Sequence, residues 1–576
     1  MRNQYQNTFS MKHFSGDISI VLGGAAGQGI QTVEAMLVSV LKAEGYRIFA
    51  SKEYMSRIRG GSNSTEIRIG RREPRAYVHR IDFLLALDKA VVEHLASRIG
   101  KHTIILGEQE KIGRQDIHVI DVPFTRLSAE LGNPVFASTI AVGAVLGMLG
   151  AERGPFEEYL RSHFARKGDE VVTKNLEAAA KGMDLGKHIA FMEGFEVTLK
   201  KDESVCGELL LDGNTALGLG ALAAGCNFIS SYPMSPGTGV LTFLAGKGRE
   251  FGVVIDQAED EIAAINMAIG AWYAGARALV TTSGGGFALM CEGVSLSGMI
   301  ETPVVVHIGQ RPGPATGLPT RTEQADLNLA LYAGHGEFPR AIFAPGTPEQ
   351  SFHAMQQAFE TADRFQVPVF VLSDQYSLDA LSTVPRERLE LLPVTNHVVE
   401  TGTDYRRYAV TEDGVSPRGV PGYGAGLVGV DSDEHDEAAH ITESASVRVA
   451  MHEKRLRKLD LLKENALLPE SIEAVKGAKT LVVTWGSNRG VLEESLAHIK
   501  DPSVAGLHFA QVYPINPQVK KMLARKRIVV MENNATGQFA QLLEQELGIE
   551  VSERILKYDG SPFSVEEVIQ KLSAFE

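Results

Sequence analysis

One short acidic segment carries the strongest chemical signal in this chain. Residues 256–264, Asp-Gln-Ala-Glu-Asp-Glu-Ile-Ala-Ala, follow an apolar run at 251–255 and open a predicted helix rich in small residues. A carboxylate such as Glu261, with Gly270 nine residues further on, could protonate a buried ring nitrogen while the helix packs closely enough to exclude water. The aminopyrimidine ring of thiamine diphosphate requires such an acid. The simpler interpretation is an acidic helix start, where carboxylates interact favourably with the helix dipole.

Four distinctive residues each follow a predicted strand, and these strands are 226–231, 251–255, 277–282 and 303–308. Ser235 follows the first strand, Glu261 the second, Ser283 the third and Arg311 the fourth. The carboxyl ends of parallel strands lie at one edge of a sheet, where ligands bind. A guanidinium takes a carboxylate bidentately and a hydroxyl adds a hydrogen bond, so this edge is expected to bind a small carboxylate. For Arg311 a surface salt bridge is the alternative.

Composition limits the possible classes of protein. At 576 residues the chain is predicted to hold three or four domains, and 44% hydrophobic with 22% charged residues is typical of globular proteins. A net charge of −14 argues against a nucleic-acid surface. Several arginines do cluster without interleaved aromatic residues, which favours a solvated or subunit-facing surface; they are Arg57, Arg59, Arg68, Arg71, Arg72 and Arg75.

The cysteines and the apolar segments indicate a cytoplasmic protein. Cys206, Cys226 and Cys291 form no Cys-x-x-Cys pair, so we expect neither a zinc site nor an iron–sulfur cluster on this chain. Buried thiols in a reducing compartment are the expected state. Residues 1–15 lack an apolar signal segment, and the glycine-containing stretch 134–149 is predicted to be a buried helix and not a membrane span.

Strands that alternate with helices predict an α/β fold built from three α/β units, the middle one with a parallel sheet. Additional strands are predicted at 18–22, 83–87, 103–106, 118–122, 367–373, 480–484 and 528–531. The predicted domains are 1–195, 196–392, an extended arm with its connector at 393–470, and 471–576.

The arm is rich in glycine, proline, acids and arginine, and we expect it to be ordered and laid against another subunit. A metal site at His435, which acidic residues flank, is the weaker alternative.

A glycine-rich segment follows the first predicted strand. The sequence 23–29, Gly-Gly-Ala-Ala-Gly-Gln-Gly, is predicted to form a loop before a helix at 30–42, and such a loop can present backbone N–H groups to an anion. Its glycines are spaced G-x-x-G-x-G, which differs from the dinucleotide-binding pattern, so no nicotinamide or flavin is expected. Binding of a coenzyme A phosphate and a purely structural turn both stay open.

Taken together, these segments resemble the 2-oxoacid:ferredoxin oxidoreductases. The run Tyr-Pro-Met-Ser-Pro-Gly-Thr at 232–238 is similar to that family's Tyr-Pro-Ile-Thr-Pro-Ser-Thr signature. The segments that resemble the family's α subunit follow in the same order, at 257–264, 281–290, 311–320 and 334–337. The N-terminal unit resembles the γ module through 27–29 and 57–62, and the tail resembles a transketolase-C-like domain through 532–534 and 537–538. The whole chain therefore resembles a fused γ–α subunit.

The resemblance implies oxidative decarboxylation of a 2-oxoacid with coenzyme A, which yields an acyl-CoA, CO2 and reduced ferredoxin, with the reverse reaction as a further expectation. It implies Glu261 as the acid that faces the aminopyrimidine, although Glu259 stays an alternative, and it implies that Ser235 and Arg311 hold the oxoacid. The residues implied in cofactor binding are Glu261, Tyr232, Pro233, Ser283, Gly284, Gly285, Gly27, Gln28 and Gly29.

Part of the implied cofactor site is missing from this sequence. The usual diphosphate motif begins with Gly-Asp-Gly, which does not occur in the 576 residues. The resemblance therefore implies a separate β subunit that carries the diphosphate site with Mg2+ and a [4Fe-4S] cluster, an (αβ)2 assembly, and ferredoxin as electron acceptor. The γ–α fusion together with the form of these motifs resembles the 2-oxoglutarate branch of the family, which favours 2-oxoglutarate as substrate. Branched-chain or aryl 2-oxoacids are the alternative. A non-catalytic docking scaffold is the alternative of another class.

Overall fold

The computed structural model describes residues 12–25, 27–55, 61–70 and 73–573. These residues divide into two compact units, Met1–Leu210 with Ala380–Arg386, and Leu211–Asp379 with Glu387–Glu576. Both units combine helices with sheets that contain parallel strands, which confirms the predicted α/β class.

The first unit is built on a mixed eight-stranded sheet. The strands up to residue 212 are β1 (Lys12–Phe14), β2 (Asp17–Ala25), β3 (Arg47–Glu53), β4 (Ser62–Gly70), β5 (Phe83–Ala86), β6 (Ile104–Gly107), β7 (Ile120–Asp121), β8 (Phe195–Val197) and β9 (Leu209–Asp212). In the sheet β2, β5, β6 and β7 are parallel, whereas β4 pairs antiparallel with both β2 and β3. The segment Leu381–Val384 returns to this sheet beside β3.

Of the arginines that cluster in the sequence, Arg68 does not lie on a surface. Arg68 lies in β4 with 3% of its surface exposed, and its Nη2 lies 2.5 Å from Asp17 Oδ2. Arg75 lies 2.8 Å from Glu73. The expectation of a solvated or subunit-facing surface is therefore wrong for Arg68, because its partner on the neighbouring strand β2 compensates the buried charge. The remaining arginines of the cluster, at 57, 59, 71 and 72, lie outside the described residues.

The helices of the first unit are α1 (Ile30–Ala43), α2 (Lys89–His94), α3 (Gln109–Ile112), α4 (Phe124–Glu130), α5 (Ala137–Met148), α6 (Arg153–Phe164) and α7 (Asp169–Met192). Glycines bring α5 and α7 into backbone contact: a Cβ on Gly143 would lie 2.9 Å from the carbonyl oxygen of Ala179. Helix α5 is buried over most of its length, as predicted, whereas the start of the predicted stretch 134–149 is a 3-10 turn, Pro134–Phe136, in which Val135 is 66% exposed. Among the described residues, no helix is long and apolar enough to cross a membrane.

The later strands are β10 (Phe228–Ser231), β11 (Val254–Gln257), β12 (Ala278–Ser283), β13 (Val304–Gln310), β14 (Ala341–Phe343), β15 (Pro368–Asp374), β16 (Leu381–Val384, in the sheet of the first unit), β17 (Glu470–Ile472), β18 (Thr480–Trp485), β19 (Val504–Phe509), β20 (Gln511–Tyr513), β21 (Arg527–Glu532) and β22 (Glu553–Leu556). The second unit holds a seven-stranded sheet in the order β11-β10-β12-β13-β15-β14-β20, parallel except for β20, and a five-stranded sheet in the order β17-β19-β18-β21-β22.

The helices of the second unit are α8 (Gly213–Ala223), α9 (Thr238–Phe251), α10 (Glu261–Tyr273), α11 (Gly284–Leu289), α12 (Cys291–Met299), α13 (Leu327–Tyr332), α14 (Pro348–Phe365), α15 (Gln375–Asp379), α16 (Ala445–Asn465), α17 (Asn488–Ile499), α18 (Val519–Leu523), α19 (Gln538–Leu547) and α20 (Val565–Ser573). The predicted strand 251–255 is displaced, because α9 continues through Phe251 and ends at Gly252, whose φ is +68°.

The arm folds onto its own chain through a buried charge cluster. Glu301 accepts from Lys454 Nζ at 2.6 Å and lies 2.5 Å from Lys458 Nζ. Arg407 of the arm donates to the carbonyl oxygen of Glu301 at 2.6 Å. The ring of His435 packs on Tyr408 at a centroid distance of 3.9 Å. These contacts give the arm a fixed path on α16, and a contact with another subunit stays a prediction.

Candidate active site

The four predicted site segments lie side by side at one edge of the seven-stranded sheet. Their strands are consecutive neighbours in the sheet, in the order β11, β10, β12 and β13. This order is the chain order except that β10 and β11 are exchanged. The segments also contact one another: a Cβ on Gly237 would lie 2.9 Å from Thr281 Oγ1, and one on Gly309 would lie 2.9 Å from Pro236.

Glu261 is a buried carboxylate with an unused oxygen. Asp260 caps α10 by accepting from Ala263 N at 2.7 Å, which makes Glu261 the first residue of the helix. Its side chain is 3% exposed, and Oε1 has no hydrogen-bond partner among the described residues. Glu259, in contrast, is exposed. Since buried polar atoms are normally paired, an orphaned carboxylate oxygen is typical of a position that meets a ligand.

A glycine makes the space beside this carboxylate. A Cβ on Gly286 would overlap the hydroxyl of Thr282 and lie 2.6 Å from Glu261 Oε1. The expected close packing at Gly270 is wrong, however, because Gly270 is exposed and a Cβ there would meet nothing within 4 Å. The close approach to α10 comes instead from α12, where a Cβ on Gly293 would lie 2.6 Å from Ile265.

Arg311 and Ser235 are brought together as predicted. Arg311 Nη1 donates to the carbonyl oxygen of Ser235 at 2.7 Å, which fixes the guanidinium against the turn that follows β10. The Ser235 hydroxyl itself makes no hydrogen bond within the described residues, and the side chain is exposed next to half-buried Pro233 and 40% exposed Tyr232. Burial lowers the pKa of Arg311, while the charge of Asp326 opposes that shift. No ion pair of Arg311 occurs in the described part of the chain, so the structure does not favour the surface salt bridge.

The predicted Ser-Gly-Gly loop is a strand-to-helix junction. Ser283 ends β12 and directly precedes α11, which begins at Gly284. Ser283 Oγ is buried without a hydrogen-bond partner among the described residues. A Cβ on Gly284 would overlap the carboxylate of Asp326, whereas one on Gly285 would meet only the carbonyl oxygen of Ala315 at 3.9 Å. Backbone therefore lines this part of the site, as expected, although the backbone is helical.

Two carboxylates of this edge were not predicted from the sequence. Burial raises the pKa of Asp326 to about 6, and burial together with the charge of Asp326 raises the pKa of Glu323 to about 6. Asp326 directly precedes α13, a position where an aspartate is typical for capping alone. Its sequence context therefore carried no signal of a second role.

The segment that carries these carboxylates is held by the C-terminal part of the second unit. Gln324 Nε2 donates to the carbonyl oxygen of Trp485 at 3.0 Å, and its Oε1 accepts from Asn488 and from Asn533 N, each at 3.0 Å. Gln538 Nε2 donates to the carbonyl oxygen of Ala325 at 2.8 Å. The tail motifs 532–534 and 537–538 thus fix the segment that follows Arg311.

The glycine segment of the first unit is shorter than predicted. Gly23 to Ala25 belong to β2, and Ala26 lies outside the described residues. Gly27 and Gly29 have φ of +91° and +83°, and Gln28 Oε1 accepts from Ala25 N at 2.7 Å. The side chain of Gln28 therefore closes the turn on itself. The resemblance at 57–62 includes residues 57–60, which are not described.

The fold and this edge define a thiamine-diphosphate-binding oxidoreductase. Residues 219–454 match a family described as pyruvate flavodoxin/ferredoxin oxidoreductase, thiamine diphosphate-binding, and residues 19–185 match the family pyruvate ferredoxin/flavodoxin oxidoreductase. Across 96% of both chains, this chain is 31% identical to a 2-oxoacid:ferredoxin oxidoreductase subunit alpha of a Sulfolobus species. It therefore belongs to the 2-oxoacid:ferredoxin oxidoreductase family, as an alpha subunit, and the resemblance drawn from its sequence is confirmed.

Two further similar proteins are named for the substrate 2-oxoglutarate. The 2-oxoglutarate oxidoreductase subunit KorA of Mycobacterium tuberculosis is 28% identical over 96% of this chain and 90% of that protein. A solved structure of 2-oxoglutarate:ferredoxin oxidoreductase from Magnetococcus marinus, with 2-oxoglutarate, coenzyme A and succinyl-CoA bound, superimposes with a TM-score of 0.90 at 27% identity. That match covers 97% of this chain and 99% of the other.

The residues present fit the pyrimidine end of thiamine diphosphate. Glu261 Oε1, which is buried and without a partner in the segments that the structure describes, meets the need for an acid at a ring nitrogen, and Gly286 leaves room beside it. The buried Ser283 hydroxyl, which also has no partner in those segments, offers a second polar contact at the same edge. Because the ring nitrogens of an aminopyrimidine are polar and its faces are apolar, a few fixed polar groups on a backbone-lined floor suit this ligand.

Proposed function

We propose that this chain is the alpha subunit of a 2-oxoglutarate:ferredoxin oxidoreductase. The reaction converts 2-oxoglutarate, coenzyme A and two oxidised ferredoxins into succinyl-CoA, CO2, two reduced ferredoxins and a proton, and the proposal includes the reverse reaction. The observation that carries the proposal is the buried Glu261 carboxylate, whose Oε1 has no hydrogen-bond partner in the described part of the chain, on the same sheet edge as Arg311. Full-length similarity to the Magnetococcus marinus enzyme supports the choice of oxoacid.

Within the site Glu261, and not the exposed Glu259, holds a proton at the aminopyrimidine ring nitrogen. Its burial places this exchange in a low dielectric, where a hydrogen bond to the ring is stronger than in water. Thiamine diphosphate, when bound, would supply a carbon nucleophile for the keto group. Ser283, Gly284 and Gly285 would line the site of this ring.

The oxoacid is held by Arg311 and Ser235. The guanidinium pairs with the substrate carboxylate, and the unused Ser235 hydroxyl donates to the keto oxygen. Tyr232 and Pro233 precede Ser235 on the same turn and flank the cofactor. In the first unit Gly27, Gln28 and Gly29 contact a phosphate of coenzyme A, with a structural turn as the alternative.

The remainder of the enzyme lies on other chains. A β subunit carries the diphosphate site with Mg2+ and the [4Fe-4S] cluster, and the assembly is (αβ)2 with ferredoxin as acceptor. The absence of Gly-Asp-Gly and of a cysteine pair from the sequence supports this division. The proposal also includes a cytoplasmic location and domains at 1–195, 196–392, 393–470 and 471–576.

The test is ferredoxin reduction by the purified αβ complex with each of three oxoacid classes. We expect reduction that requires both thiamine diphosphate and coenzyme A, and a kcat/KM for 2-oxoglutarate well above the values for branched-chain and aryl 2-oxoacids. A preference for one of those classes would establish the alternative substrate. No reduction with any 2-oxoacid, and a thiamine affinity that does not depend on Glu261, would establish the docking scaffold.

A further inference from the structure

We propose that Asp326 is a proton-carrying residue of the oxoacid site, which takes up one proton when the substrate carboxylate binds to Arg311. The inference rests on the proposed function, because it requires an anionic 2-oxoacid on that guanidinium. It adds to the site a group that lies in none of the four strand-end motifs.

The side chain of Asp326 does not act as the helix cap that its position suggests. It directly precedes α13, yet its carboxylate makes no capping hydrogen bond to that helix. The carboxylate lies instead over Gly284, where a Cβ would overlap both of its oxygens. Within the described residues it forms neither a hydrogen bond nor an ion pair. A carboxylate seated on a glycine of the cofactor floor without any partner is available to a ligand.

The backbone around Asp326 is fixed on both sides. Its N–H donates to Gln310 Oε1 at 3.1 Å, and its carbonyl oxygen accepts from Ala330 N at 2.9 Å. Gln324 N donates to the carbonyl oxygen of Asn533 at 2.7 Å. The backbone of Asp326 is therefore fixed to Gln310 at the end of β13 by contacts that do not involve the carboxylate, and the charge of Arg311 acts on that carboxylate.

The charges around Asp326 determine when it holds a proton. Burial raises its pKa to about 6, and Arg311, from the end of β13, acts in the opposite direction. Glu323, from the same segment, is a second carboxyl with a pKa of about 6, and α11 contributes no titratable side chain. A substrate carboxylate on Arg311 offsets the positive charge that keeps Asp326 ionised, so its pKa rises further and a proton is bound near neutral pH.

The proton balance follows from this linkage. The free site holds ionised Asp326 above pH 6, and binding of the oxoacid anion transfers one proton from solvent to that carboxyl. Decarboxylation turns the carboxylate on Arg311 into neutral CO2 and leaves the electron pair of the broken bond on the former keto carbon, so no anion remains against the guanidinium and Asp326 returns the proton to solvent. The net reaction is unchanged, and only the affinity for the oxoacid depends on the proton.

The experiment compares Asp326→Asn with the wild-type αβ complex, using the oxoacid that the wild type oxidises fastest. Asparagine keeps the shape of the protonated acid. We expect the wild-type KM to rise above pH 6 by up to about tenfold per pH unit, the limit for one linked proton, and the variant KM to be independent of pH. Glu323→Gln is the matched control and should keep the slope.

Calorimetry provides a readout that does not depend on the variant. Titration of the same oxoacid into the wild-type complex at pH 7.5, in buffers of different ionisation enthalpy, should show uptake of about one proton, the stoichiometry of one titrating carboxyl. No proton uptake, or equal KM slopes in wild type and Asp326→Asn, would overturn the role of Asp326. A wild-type complex that oxidises no 2-oxoacid would instead overturn the proposed function.

Discussion

Two buried glutamates of the second unit have opposite surroundings. Glu301 is 1% exposed and lies against Lys454 and Lys458, and these lysines hold the pKa of its carboxyl well below the ordinary range. Glu261 is 3% exposed, and its Oε1 has no partner within the described residues. A buried carboxylate whose charge is matched inside the chain holds the fold together, whereas one left unmatched is available to a ligand.

Replacement of Glu261 is the most severe test of this difference. Glu261→Gln should lower turnover of the αβ complex by about 10²–10⁴-fold, the usual contribution of a general acid, while the fold and assembly persist because the two side chains have the same shape. Exposed Glu259→Gln is the matched control and should retain activity. Equal losses in both variants, or unchanged turnover in Glu261→Gln, would contradict the assignment of Glu261.

Replacement of Glu301 should have the opposite result, on stability and not on chemistry. Glu301→Gln leaves two buried lysines without their counter-charge, so the free energy of unfolding should fall by about 3–5 kcal/mol. Because the folded pKa lies below the ordinary value of 4.5, the stabilisation by Glu301 should be complete above that pH and should be lost only as the pH falls through the folded pKa.

Denaturant unfolding, followed by tryptophan fluorescence, measures this loss. Glu337→Gln removes an exposed partner of His452 and should cost less than about 1 kcal/mol. If both variants unfolded at the same denaturant concentration, Glu301 would not be the anchor of the arm.

The space beside Glu261 offers a milder test. In Gly286→Ala the new methyl group would crowd Thr282 Oγ1 and Glu261 Oε1, so the carboxylate must move. A displacement of this kind should lower turnover by about 10–100-fold and weaken thiamine diphosphate binding. Gly246→Ala on α9, where a Cβ meets nothing within 4 Å, is the control and should leave both quantities unchanged. Normal thiamine affinity in Gly286→Ala would show that the glycine serves only the fold.

The same comparison shows which features a sequence can reveal. The strands that lead into Ser235, Glu261, Ser283 and Arg311 were predictable, because buried parallel strands are continuous apolar runs and their ends share one edge. Strands β3 and β4 were missed because buried charges such as Arg68 interrupt their apolar pattern. The features that could not be predicted depend on partners that are remote in sequence. Nothing in the segment around Glu301, for example, predicts its contact with α16.

The hydrogen bonds of Gln324 have the smallest expected effect, and they extend the comparison to a side-chain amide whose nitrogen and oxygen both have partners. Its amide makes three hydrogen bonds, to Trp485, Asn488 and Asn533, which hold the segment between Arg311 and Asp326. Gln324→Ala should raise the KM for the oxoacid about three- to tenfold, because loosening the segment misplaces the groups that hold the substrate. Steady-state kinetics of the complex measure the change.

The control is Gln541→Ala, which removes an exposed amide that donates to the carbonyl oxygen of Thr536 at 2.7 Å and should leave KM unaltered. If Gln324→Ala lowered kcat and left KM unchanged, the segment would act on the chemistry and not on oxoacid binding. In that case the C-terminal part of the second unit would help to position Glu261. Burial alone would then not distinguish a carboxylate that stabilises the fold from one that meets a ligand.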